Sequence, residues 1–312
     1  MTTFRELEAF VAVADTGSFE RAARSLATSQ SNVSRLISDF EGTFQRPLLN
    51  REQRSARLTL EGQEVLRIAR DVLRQRANLT ERFGDPDLVT TTLRLGVTEL
   101  AALTWLGRFL AQLRERYARI RVELEVGNST TLHTSMRDGR LDIAIVADVI
   151  RSIDMARLPV GSVKFGWYCA STSGLSDELT LSEFEHQTLL IQGSASGAGS
   201  LLSQWLVDKG IRAANIINSD SLAALAGICA AGLGLASLPR AVALDPVERG
   251  VLREVNLSIG APEMKFIALV RIDAISAFHR AVAQLASESC DFTTPFHRTR
   301  PQSVEPTGGA SC

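Results

Sequence analysis

The chain has 312 residues, 45% apolar and 22% charged, ordinary proportions for a folded protein with room for about two domains. Its 34 basic and 35 acidic residues leave a net charge of −1, which excludes attraction to polyanions by an overall field but not by a local basic face. The longest apolar stretch, Leu222 to Ala236, is broken by Gly227, Gly232 and Gly234 and falls short of a membrane span.

The first elements are helical. Leu7, Phe10, Val11 and Ala14 recur at helical spacing, and Gly17 ends that run. Ser18 is placed to cap a short second helix with Phe19, Ala22, Ala23 and Leu26 inward. After a tight turn at Ala27 and Thr28, Ser29 caps a third helix whose buried stripe is Val33, Leu36, Ile37 and Phe40. The opposite face of this helix carries Gln30, Ser31, Asn32, Ser34, Arg35 and Ser38. A face that is merely solvated usually carries Glu and Lys, which are better helix formers than Ser and Asn. Two short helices joined by a tight turn, the second with polar groups near its start, is the geometry that sets a helix in the major groove. There Arg pairs with guanine and Asn or Gln with adenine. Ser18, Thr28 and Ser29, at the helix starts and the turn, join the candidate DNA contacts.

A hairpin is expected next. Pro47-Leu48-Leu49 and Leu58-Thr59-Leu60 flank a polar tip, and Arg46, Arg51, Arg54 and Arg57 against Glu52 give residues 43–58 a net +3. Arg51, Arg54 and Arg57 are candidates for phosphate or minor-groove contact. From Leu60 to Phe83 there is no proline, and Gly62 is the only glycine. Val65, Ile68, Val72 and Leu79 line one side of this predicted helix, about 36 Å long at ~1.5 Å per residue. With Arg67, Arg70 and Arg74 expected to project elsewhere, it has too little to pack on in its own chain and calls for a partner helix. Residues 84–91, with Gly84-Asp85-Pro86-Asp87, read as a hinge.

Strands and helices then alternate over residues 92–290, the pattern of a parallel, doubly wound sheet. Strands are expected at Leu93–Val97, Arg121–Val126, Leu141–Val146, Leu189–Ile191, Asn215–Asn218 and Leu235–Leu238. Crossings near residues 163–168 and 264–269 divide the region into a first lobe of about 92–163 and 269–290 and a second of about 168–264. Ligands of such sheets bind beyond the carboxyl ends of the strands. Those ends carry Thr98 and Glu99; Asn128, Ser129 and Thr130; Val146, Ala147 and Asp148; Gln192, Gly193 and Ser194; and Asn218, Ser219 and Asp220. Hydroxyls and amides suit a small organic ligand, while Glu99 and Asp148 argue against a simple dianion and suit a ligand amine or hydroxyl. For each residue, capping its own helix is the competing role. Ser194 to Gly199 lacks the Lys-Ser/Thr ending of a phosphate loop, and Gly232-Leu233-Gly234 reads as a helix cap and turn rather than a dinucleotide fingerprint. The Pro- and Gly-containing residues 291–312 are expected to be a disordered tail.

Cys169, Cys229, Cys290 and Cys312 are scattered without CxxC pairs, and His133, His186, His279 and His297 are isolated, so no metal and no cofactor are expected. Cys169 and Cys229 read as buried apolar side chains. Glu6 and Glu8 stand where an export signal would need cations and apolar residues, so a cytoplasmic location fits.

The N-terminal run resembles the LysR-type transcriptional regulators. The resemblance spans about 62 residues: Leu7 to Ala14, Gly17-Ser18-Phe19, Ala22-Ala23, Ser29-Gln30-Ser31, Ser34-Arg35-Leu36-Ile37, Glu41, Leu48-Leu49-Asn50-Arg51 and Leu58 to Gly62. Asn32 and Leu49 depart from the family's usual small apolar residue and Phe. Leu238-Pro239, after the second glycine stretch, also resembles the family. This implies an α/β protein with an N-terminal all-α winged helix-turn-helix domain (1–58), a linker and dimerisation helix (59–83) and a two-lobed, periplasmic-binding-protein-like effector domain. It further implies double-stranded operator DNA, a small-molecule effector such as an organic acid, and antiparallel pairing of the long helix in a homodimer or homotetramer. RNA polymerase is a further candidate partner. Effector-driven lobe closure or altered subunit packing would change the spacing of the paired DNA-binding domains. An α/β enzyme with an appended helix-turn-helix, or a solute-binding protein, is the alternative. The first lacks a nucleophile with its base or a cofactor loop; the second leaves residues 1–83 without a role.

Overall fold

The computed structural model describes residues 2–50, 56–83 and 92–298. Two compact units divide near residue 91. In the N-terminal unit, α1 (Phe4–Thr16) starts at a reciprocal cap between Thr3 and Glu6 and stops at Gly17, whose φ of 64° lets its N–H reach the Val13 carbonyl. Then come α2 (Phe19–Ser25), capped by Ser18, and α3 (Gln30–Phe44), capped by Ser29. Phe10, Val13, Ala22, Val33, Ile37 and Phe40 close the core between them, with the Phe10 and Phe40 rings 5.2 Å apart. The turn after α2 is a Schellman closure: Ala27 adopts φ 50°, Ala27 N–H bonds to Arg24 O and Thr28 N–H to Ala23 O.

Strands β1 (Leu49–Asn50) and β2 (Arg57–Leu58) pair antiparallel, Leu49 opposite Leu58. Helix α4 (Leu60–Phe83) follows. Gly62 is required where α4 passes the hairpin, since a Cβ there would stand 2.0 Å from the Leu48 carbonyl oxygen. One expectation needs correcting: α4 does pack within its own chain. Leu66 and Ala69 are buried in the N-terminal core, and Arg70 and Arg74, expected to project outward, are buried too. Arg70 pairs with Asp15 and Arg76 with Glu8, tying α4 to α1.

The C-terminal unit holds β3 (Thr92–Val97), α5 (Glu99–Ala102), α6 (Leu106–Arg116), β4 (Arg121–Val126), α7 (Ser129–Arg137) and β5 (Ile143–Ala147). The long β6 (Met155–Ala170) leads to β7 (Glu178–Leu179), α8 (Leu181–Glu185), β8 (Thr188–Ile191), α9 (Gly197–Asp208), β9 (Asn215–Asn218) and α10 (Leu222–Ala230). The chain continues through β10 (Leu235–Pro239), α11 (Arg240–Glu248), β11 (Leu252–Leu257), β12 (Glu263–Arg271) and α12 (Ala277–Ser289). The strand order is β4-β3-β5-β12-β6-β10-β8-β9, with β11 joined to β6 and β7. β3 runs parallel to β4 and β5, and β8 parallel to β9 and β10, so each lobe has its own doubly wound half.

Strand β6 belongs to both lobes. Met155–Lys164 pairs with β12, and Phe165–Ala170 with β10 and β11. The return crossing therefore falls before Glu263, earlier than the expected 264–269, because β12 lies in the first lobe along its whole length. Of the tail expected over 291–312, residues 291–298 are likewise not disordered, while 299–312, like the hinge expected at 84–91, lie outside the described residues. Phe292 is buried against Phe266 and Trp105, and Arg298 donates to Glu248 at 2.9 Å. Cys169 and Cys229 are buried and free, and burial pushes the Cys229 thiol up to about 11. Among the described residues no cluster fit to hold a metal occurs, and no helix is long and apolar enough to cross a membrane.

Candidate functional site

Helix α3 presents its polar face outward. Ser29, Gln30, Ser31, Ser34, Arg35 and Ser38 are exposed, while Val33, Ile37 and Phe40 are buried behind them. Ser18 and Thr28 are half-buried, and Ser18 and Ser29 use their hydroxyls to cap α2 and α3. Capping and outward display are compatible, because a hydroxyl that accepts from its helix still has a proton to donate.

Asn32 sits at the centre of a chain of contacts. Its Nδ2 donates to Thr28 Oγ1 at 3.0 Å, and its Oδ1 accepts from Arg35 Nη2 at 3.2 Å. The turn thereby steers Arg35, and a single one of the guanidinium's five donors is used in this contact. Asn32, where the family usually has a small apolar residue, thus positions its neighbour.

Glu41 escaped the sequence reading as a functional residue. It is buried at the far end of α3, and its Oε1 accepts from Leu48 N at 2.8 Å and Leu49 N at 3.0 Å, fastening the hairpin to the helix. The signal was a carboxylate four residues after Ile37, on the inward stripe. Ala56 N–H also bonds Gly17 O at 3.2 Å, holding the hairpin against the α1–α2 turn. Arg57 is exposed on β2; Arg51 and Arg54 lie outside the described residues. On α4, Val65 is half-buried against its own core, while Ile68, Val72 and Leu79 are exposed at 48%, 40% and 61%.

The second site is a cavity of about 360 Å³ between the lobes of the C-terminal unit. Thr98, Glu99, Asn128, Ser129 and Gln192, all expected from the strand ends, line it. The Thr98 hydroxyl is buried there without a partner. Asn128 caps α7 through Thr131 N at 2.9 Å, and Gln192 bridges Ser196 Oγ and the Asp220 carbonyl, each at 3.1 Å.

Glu99 crosses from one lobe to the other. Its Oε2 accepts from Leu222 N at 2.8 Å and its Oε1 from the Ser221 hydroxyl at 3.2 Å, so it caps the start of α10. Thr130 is outside the lining and makes the second tie: its N–H and hydroxyl both donate to the Ala195 carbonyl. Gly197 completes the closure, since a Cβ there would lie 2.3 Å from Ala147 Cβ.

Other expected residues fall outside the lining. Asp148 is paired with Arg157, because one residue beyond Ala147 a strand side chain faces the other way. Gly193 packs against Asp220 and the α9 start, Ser194 and Asn218 are exposed, and Ser219 accepts from Ser221 N at 3.2 Å. In their place stand Ala147 and Asp220, which the strand ends also offered, and Ser196 and Ala198, which the strand-end rule passed over, with Leu100, Val126, Met264 and Phe266 as the apolar wall.

A helix-turn-helix with a hairpin beside it and a two-lobed ligand-binding unit define a ligand-responsive DNA-binding protein. Residues 4–63 match the model of the bacterial regulatory helix-turn-helix of the lysR family, and residues 86–291 that of the LysR substrate binding domain. The chain belongs to the LysR family and is a DNA-binding transcriptional regulator with an effector-binding domain; the family is one of regulators rather than enzymes. It is 28% identical over 236 residues to the HTH-type transcriptional regulator CzcR of Bacillus anthracis, covering 76% of this chain and 80% of that one. Its fold is similar to a full-length OxyR variant from Pseudomonas aeruginosa (TM-score 0.74, 19% identity, 96% and 99% of the two chains covered). It is also similar to ArgP from Mycobacterium tuberculosis (TM-score 0.68, 20% identity, 91% and 96% covered).

Proposed function

We propose that α3 reads the operator through Gln30, Ser31, Asn32, Ser34, Arg35 and Ser38. Ser18, Thr28, Ser29 and Arg57 meet the phosphates, together with Arg51 and Arg54. The observation that carries this is the Thr28–Asn32–Arg35 chain, which holds an exposed guanidinium on a face otherwise made of short polar groups. A pre-positioned Arg loses little freedom on docking and suits bidentate pairing with guanine.

A dimer forms through α4. Ile68 and Val72 lie beside Phe4, Phe40 and Phe44 around an apolar groove lined by no charged side chain among the described residues, and a second copy's α4 is the occupant that buries it. Two copies present two reading helices to a two-fold symmetric operator, and the target implies action in the cytoplasm. The effector enters the inter-lobe cavity and acts by binding one degree of lobe closure more tightly than another.

Mobility-shift titration with DNA from upstream of the chain's own gene, over a range of salt, tests the assignment. Arg35→Ala should abolish specific binding while analytical ultracentrifugation shows the assembly unchanged. Arg35→Ala with full operator affinity would show that the wrong face has been assigned.

A further inference from the structure

The inter-lobe cavity contains acid and no base. Among the described residues, Glu99 and Asp220 are the ionisable side chains that line it, and no Lys, Arg or His does. The remaining wall is neutral hydroxyl and amide (Thr98, Asn128, Gln192) or apolar.

Helix starts ordinarily favour anions, and α7, α9 and α10 all begin here. Each already has its partner. Asn128 caps α7, Ser196 caps α9, and the Glu99 carboxylate serves as an internal anion on α10. An entering carboxylate would find the α10 position filled and two like charges beside it.

A cation finds the opposite. Glu99 accepts two hydrogen bonds of the roughly four a carboxylate can take, leaving room for further donors. The Asp220 carboxylate is exposed and makes no hydrogen bond or ion pair among the described residues. The unpartnered Thr98 hydroxyl adds a neutral acceptor nearby.

We propose, on the assignment of this cavity as the effector site, that it takes a ligand bearing a protonated amine, held by Glu99 and Asp220 with its carbon skeleton against Leu100, Met264 and Phe266. The class expected from resemblance, an organic acid recognised by its carboxylate, does not fit this charge.

Three four-carbon probes separate the cases: putrescine with two ammonium groups, 4-aminobutyrate with one ammonium and one carboxylate, and succinate with two carboxylates. Each is titrated at millimolar concentration into the full chain by calorimetry and thermal shift. The expected result is binding of putrescine and 4-aminobutyrate, with succinate inert. Glu99→Gln and Asp220→Asn, two variants of different burial, should each weaken the amine probes by about tenfold or more. Binding of succinate in preference to both amines, or no binding of any probe, overturns the proposal.

Ala198→Phe, which fills the cavity, separates this from failure of the site assignment. If succinate binds and the filled variant loses it, the cavity is the effector site and the charge inference is wrong. If a probe still binds the filled variant, checked as folded by circular dichroism, the ligand lies elsewhere and the site assignment itself fails.

Discussion

Glu41→Ala should unfasten the hairpin and lower the stability of the N-terminal unit alone. Two backbone N–H groups, on Leu48 and Leu49, lose their acceptor, and both residues are within 2% of complete burial. A buried donor left unpaired costs about 1–3 kcal/mol, so the pair costs about 2–6 kcal/mol. Glu41→Gln keeps an oxygen for both donors and loses charge assistance only, about 1–2 kcal/mol. At roughly 4–8 °C per kcal/mol for a unit of this size, the Ala variant should melt at least about 8 °C lower. The aromatic residues make the assay selective: Trp105, Trp167 and Trp205 all lie in the C-terminal unit. Circular dichroism at 222 nm should show an early transition at fixed protein concentration while tryptophan fluorescence keeps its midpoint. Loss below 1 kcal/mol in the Ala variant, or a shift of the fluorescence midpoint instead, would refute the role assigned to this carboxylate.

Ala27→Gly should stabilise the helix-turn-helix by about 0.5–1 kcal/mol in urea unfolding. A left-handed backbone costs alanine about 1–2 kcal/mol, and part of that relief is cancelled by glycine's freer unfolded chain. Arg298→Gln should lower the melting temperature at pH 7 but not in acid. The Arg298 hydrogen bond holds Glu248 below its ordinary value of 4.5, so the stabilisation is present above that pH and fades as pH falls through the lower, folded-state value. A difference between the two proteins that persisted unchanged at pH 2.5 would contradict it.

What the sequence disclosed was local. Ser18, Ser29 and Gly17 were legible as caps because each acts within four residues of itself, and α3's two faces followed from spacing alone. Thr98, Asn128 and Gln192 were legible because a parallel strand's carboxyl end has one destination in a doubly wound sheet. Met264 and Phe266 were not. They lie on β12, an antiparallel return strand, and Phe266 reaches the cavity because it pairs opposite Ala147, 119 positions earlier, a register no local pattern encodes. Asp148 failed for a smaller reason, the two-residue alternation of a strand. The inward face of α4 escapes a reading by polarity because it is half basic: Arg70 and Arg74 read as solvent-facing until Asp15 and Asp71 are brought beside them.

Glu99 shows what non-local pairing adds to the chemistry. As a residue after β3 it reads as a generic helix-start carboxylate; its partners Ser221 and Leu222 are 122 and 123 positions away in the other lobe. With the cavity as the proposed effector site, that placement would link ligand charge to lobe closure. An amine that adds to Glu99 leaves the contact with α10 intact and contributes donors to the same closed arrangement. A carboxylate bound at the α10 start must first displace Glu99, and so breaks one of the cross-lobe ties beside the cavity, leaving that of Thr130 to Ala195. Since a ligand shifts an equilibrium only by its unequal affinity for the two states, ligands of opposite charge at this position would bias closure in opposite directions.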